Sequence, residues 1–67
     1  MLYKAEKYKK GYHKLLDYAY SDSREGAIKD IKSKINISHV IFTYEVNGIL
    51  LSNLEMFDKN CNRIKNW

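Results

Sequence analysis

The chain has 67 residues, 45% of them hydrophobic and 30% charged, with no proline, one cysteine and a formal net charge of +4. That length holds one domain, residues 1–67, near the lower limit at which an apolar core offsets the entropy of folding, and the composition sets it apart from a disordered chain. The lone Cys61 excludes an internal disulfide and a cysteine-built zinc site, so stability is expected from packing alone or from a partner.

The chain opens with LYKAEKYKKGYHKLLDYAYS, which holds five of its six tyrosines. Ala5, Tyr8, Tyr12, Leu15 and Ala19 fit a helical stripe, but Gly11 in mid-helix would cost about 1 kcal/mol. The tyrosine-rich, strand-like LLDYAY run favours a hairpin that turns at Gly11. In SDSREGAIKDIKSKIN, Ala27, Ile28, Ile31 and Ile35 recur at helical spacing, with charged residues mostly on the other side. Asp22 and Glu25 resemble a capping box and Asn36 can end a helix, which predicts one amphipathic helix over about 22–35.

HVIFTYEVNGILL follows, with Val40, Phe42, Tyr44 and Val46 alternating up to the turn dipeptide Asn47-Gly48. A two-residue loop there would set Val46 opposite Ile49 and Tyr44 opposite Leu51, and that apolar face is expected to lie on the helix. In the last segment, Leu50, Leu54, Phe57, Cys61 and Ile64 keep a helical spacing and Ser52 with Glu55 could cap it. Yet FDKNCNRI reads better as strand, polar turn and strand, because Asn60, Asn62 and Asn66 are poor helix formers. The expected fold is therefore α+β: an antiparallel sheet of four or five strands, ββαββ with room for ββαβββ, and one helix on one face.

Charge is uneven along the chain. Residues 1–20 carry five lysines against Glu6 and Asp17, a local +3, whereas residues 36–57 hold only Glu45 and Glu55, a local −2. The stretch KYKKGYHK gathers Lys7, Lys9, Lys10 and Lys14 with Tyr8 and Tyr12, the residue types with which single-strand binders hold phosphates and stack bases. Arginine, the better bidentate phosphate ligand, is limited to Arg24 and Arg63, so the lysines read first as solvation and second as a contact for nucleic acid or an acidic partner.

No motif for catalysis or metal binding stands out. Cys61, His13 and His39 lack the spacing of a nucleophile with its base or of a ligand pair, and the glycines are too isolated for a phosphate loop. Asp58, Asn60 and Asn62 alternate as at the start of a calcium loop, without its glycine and closing glutamate. Glu45 and Glu55 are the only acids of the apolar half and are expected on opposite strands, exposed to solvent. No cofactor, no metal and no enzymatic activity are expected.

No apolar run approaches the roughly 18 residues of a membrane span, and MLYKAEKYKK lacks the apolar core of a signal peptide, so no membrane association and a cytoplasmic location are expected. The abundance of Lys, Asn, Ile and Tyr is what AT-rich coding produces and suits a low-GC bacterium or its phages and mobile elements. A sheet with one helix covers one face only, and Ile41, Leu50, Leu54 and Trp67 are expected on the surface left open. The expected function is non-catalytic binding of a host protein or of a second copy through that surface, with nucleic-acid binding through residues 4–14 as the alternative.

Overall fold

The N-terminal tyrosine-rich segment folds back on itself as a hairpin of β1 (Leu2–Lys9) and β2 (Leu15–Ser21), in a computed structural model that describes residues 1–11, 14–32, 34–58, 60 and 62–64. Gly11 turns the chain at φ +83°, in the left-handed region that side chains disfavour. The strands pair antiparallel from Tyr3 opposite Ser21 to Lys7 opposite Asp17, and an irregularity then sets Tyr8 opposite Leu15.

Helix α1 covers only Arg24–Lys29, within the wider span that the apolar spacing predicts. Ser23, not Asp22, is its N-cap: its hydroxyl accepts from the Gly26 N–H at 2.9 Å. The chain leaves the helix after Asp30, whose N–H donates to the Gly26 carbonyl. Ile31 still reaches the core and Ile35 packs against it, because β-branched side chains can be buried from irregular backbone without the helix that their spacing suggests. Asn36 ends no helix. Its side chain accepts from the Ser38 N–H, and its carbonyl from the His39 N–H, in a turn that launches β3.

β3 (His39–Asn47) and β4 (Leu50–Phe57) form the second hairpin, and the sheet order is β2-β1-β3-β4. The turn lies one residue later than Asn47-Gly48 predicts. Asn47 pairs with Leu50, Gly48 takes the positive φ of +63°, and Val46 faces Leu51 rather than Ile49. A register shift between Thr43 and Glu45 then sets Thr43 opposite Glu55 and Phe42 opposite Met56. Beyond β4 the chain turns so that Arg63 bridges Phe57 and the Ile64 N–H donates to the Met56 carbonyl, the start of a fifth strand. The fold is thus the small α+β arrangement expected, with a hairpin at each end.

The helix covers the other face from the one expected. Odd-numbered residues of β1 and β3 point towards it, so the core is Ala5, Ala27, Ile28, Ile31 and Ile41, flanked by Tyr3, Ala19, Ile35 and Phe57. The physical reason is size: Ala5 opposite Ala19 leaves a hollow for Ala27 and Ile28, whereas the rings of Tyr8, Phe42 and Tyr44 would hold a helix off. Ile41 is consequently fully buried, and not part of any interaction surface.

Candidate interaction surface

The even-numbered residues of β1 and β3 form the face that α1 leaves uncovered. Its rows follow from the register: Leu2, Val46 and Leu51; then Tyr20, Lys4 and Tyr44; then Tyr18, Glu6 and Phe42, with Met56 beyond; then Leu15, Tyr8 and Val40. Tyr18 and Tyr20 remain 52% and 48% exposed on strand β2, and Leu2, Leu15 and Leu51 are also exposed. Their rings meet edge to face with centroids 6.0 Å apart, and Tyr8 meets Phe42 in the same way at 5.2 Å.

A polar cluster lies at the centre of this apolar field. The Lys4 ammonium is 3.1 Å from the Glu6 carboxylate and also stands over the rings of Tyr18 and Tyr20, at 5.2 and 5.7 Å from their centroids. The Tyr8 hydroxyl lies 3.5 Å from the other Glu6 oxygen. Burial alone would lower the Lys4 ammonium, but the hydrogen bond and charge of Glu6 hold it above the ordinary lysine value. Burial, followed by Glu6, pushes the phenols of Tyr44 and Tyr8 up, so both stay neutral donors at ordinary pH.

Strand alternation sends the other strand carboxylates to the opposite side. Arg24 stands 2.9 Å from Glu55 and 3.6 Å from Glu45, with its guanidinium 5.1 Å from the centre of the Tyr3 ring, and Arg63 approaches Glu55 at 3.9 Å. The two glutamates lie on adjacent strands and share one arginine, instead of standing as separate solvated residues. A groove of about 460 Å³ between Leu54, Glu55, Met56, Arg63 and Ile64 borders them, and the carboxylate it offers is already paired.

The lysine-tyrosine segment is divided by the fold. Lys9, Lys10 and Lys14 are exposed near the turn between β1 and β2. Lys7 does not join them: it is 2% exposed, on the helix side, and its ammonium donates to the Lys34 carbonyl at 3.3 Å. Its odd-numbered position in the middle of β1, opposite buried Ile41, puts it there, whereas Lys9 on the same side stands at the end of the strand and stays exposed. Tyr8 is half-buried and packs edge to face with Phe42. Of the expected apolar surface, Leu50 and Leu54 are exposed, at 67% and 53%, whereas Ile41 is core. Tyr12, Trp67, His13 and Cys61 lie outside the described residues.

Tyr18, Tyr20, Lys4 and Glu6 are the surface residues that the sequence reading missed. The signal was present in the small residues Ala5 and Ala19, which mark the helix side and so assign their even-numbered neighbours on β1 and β2 to the open one. Among the described residues, no group of three or more His, Cys, Asp or Glu is placed to hold a metal ion, and no helix is long and apolar enough to cross a membrane. Comparison with protein-family models, with curated proteins and with solved structures finds no match.

Proposed function

We propose that the protein is a small non-catalytic interaction module, working by covering the open face of its sheet with another protein. The observation that supports this reading is the field of rings and aliphatic side chains on the face away from α1, in which Tyr18, Tyr20, Leu2, Leu15 and Leu51 are exposed while Glu6 and Val40 between them are buried. The polar groups in that field, Lys4, Glu6 and the phenols of Tyr8 and Tyr44, already satisfy one another. Little is left to desolvate when a partner arrives. The AT-rich composition suits a phage or mobile-element product in a low-GC host, whose partner would be a host protein or a second copy of the chain.

Exposed Lys9, Lys10 and Lys14 support a second reading, contact with nucleic acid at the β1–β2 end. A tagged pull-down from producing or infected cells, with and without nuclease, tests both. Capture should survive nuclease, should be lost in Tyr18→Glu and Tyr20→Glu, and should persist in Lys29→Glu on the helix. Capture indifferent to the tyrosine variants would remove the sheet-face reading, and capture abolished by nuclease would favour the second one.

A further inference from the structure

We infer that the occupant of the open face is a second copy of this chain, the two sheets packing face to face about a two-fold axis. This rests on reading that face as an interaction surface. The argument comes from the register. Tyr20, Lys4 and Tyr44 form one row across the sheet, and Tyr18, Glu6 and Phe42 form the next. A two-fold axis running across the strands at the level of Ala5 exchanges these rows. It sets Lys4 of one copy over Glu6 of the other, Tyr20 over Tyr18, and Tyr44 over Phe42.

The face is thus its own chemical complement: the part-buried Lys4 of each copy lies over the largely buried Glu6 of the other, charge facing opposite charge twice, and ring lies over ring at every other central position. The exchanged pairs lie at the centre of the face, where the rotation of about 30° between aligned sheets displaces them least. A host protein would have to supply this pattern independently; a second copy supplies it by symmetry. Nucleic acid fits the centre of the face less well, because Glu6 stands there and Lys4 is already paired with it.

Size sets the strength. Strands of 7 to 9 residues, rising about 3.3 Å per residue and spaced about 4.8 Å, make a face about 25 by 19 Å. Each copy therefore contributes about 500 Å² in projection, below the roughly 800 Å² per partner of a standard stable interface. The dimer is accordingly a reversible one, in exchange with monomer.

Light scattering and sedimentation of the purified chain, after nuclease treatment, test the inference across protein concentration. The mass should rise from the 8.0 kDa monomer towards twice that value as concentration increases. Lys4→Glu and Glu6→Lys should each weaken association by about tenfold or more, since each sets like charges across the axis. An equimolar mixture of the two variants should restore association, because each then offers the charge the other needs. The inference falls if the parent stays monomeric to millimolar concentration, if both variants associate as the parent does, or if both are folded by circular dichroism and their mixture remains monomeric. Should either variant fail to fold, Tyr20→Glu at its exposed position takes its place: loss of the dimer supports the inference and retention overturns it. A monomeric parent that still captures another protein through Tyr18 and Tyr20 overturns this inference and leaves the proposed function standing.

Discussion

Gly26 in helix α1 lies so close to Ser21 at the end of β2 that a Cβ on it would run into the Ser21 hydroxyl and stand 3.3 Å from the Ser21 Cβ. This approach anchors the helix to the edge strand, and the capping Ser23 hydroxyl would lie 2.8 Å from the same added carbon. Two effects oppose each other in Gly26→Ala. Helix propensity favours alanine by about 1 kcal/mol, while overpacking against a fixed strand costs about 1–3 kcal/mol. Crowding wins, and the variant should lose about 1 kcal/mol of stability in urea denaturation. Ser21→Ala combined with Gly26→Ala should recover part of that loss, since it removes the tightest contact and leaves the Ser23 hydroxyl in place. A single variant with a raised midpoint would show that the helix does not rest on Ser21.

Thr43 is fully buried under the helix, and among the described residues its hydroxyl has no hydrogen-bond partner. An unpaired buried hydroxyl costs about 1–3 kcal/mol, and valine has nearly the same shape without it. Thr43→Val should therefore be neutral or stabilising by up to about 1 kcal/mol. Thr43→Ala, which removes the methyl as well and leaves a void, should destabilise. Equilibrium unfolding of the two variants side by side checks the pair, and a destabilised Thr43→Val would mean that the hydroxyl holds a partner in solution.

Legibility in the sequence depended on the range of the signal. Hairpins at Gly11 and Gly48 and the single helix are written locally, in turn residues and apolar spacing, and all are present. The side of the sheet that the helix chooses is not local. It depends on Ala5 meeting Ala19 across a ladder, a coincidence that appears only once the register is known. Ile41 and Tyr44 therefore lie on the faces opposite to those expected, and the lysine cluster divides because Lys7 is covered on the helix side, whereas Lys9, on the same side at the end of β1, and Lys10 beyond it remain exposed. Helix α1 is shorter than the apolar spacing implies for a related reason: Ile31 and Ile35 pack in or against the core without being helical.

His39 opens β3, where its Nδ1 accepts from the Asn36 N–H at 3.2 Å, a bond that requires the unprotonated nitrogen. Burial, together with the charges of Lys7 and Lys9, lowers its pKa below the ordinary 6.5. The unfolded chain therefore binds this proton more readily than the folded one, and stability rises with pH in this window. The contribution is complete above about pH 6.5 and is lost as pH falls through the lower, folded value. Urea midpoints at pH 7.5 and pH 5 should differ less in His39→Gln than in the parent. An NMR titration placing the His39 imidazole above 6.5 would reverse the sign and sink the argument.

Lys9 and Lys10 decide between the two readings of function, because they are exposed near the turn and away from the central rows of the open face. Lys9→Glu combined with Lys10→Glu changes the net charge by −4, from +4 to zero, while leaving Tyr18, Tyr20, Lys4 and Glu6 in place. An apolar, internally neutral face should hold its protein partner with little change in this double variant, and its affinity should vary little between 50 and 300 mM salt. Phosphate binding would behave differently: displaced counterions would make affinity for a single strand fall steeply with salt, by about 3- to 4-fold per phosphate contact over that range, and the charge reversal would abolish it. Titration of the parent and the double variant with single-stranded DNA and RNA at both salt concentrations separates these outcomes. Binding that is steeply salt-dependent in the parent and absent in the double variant would move the working surface from the open sheet face to the β1–β2 turn.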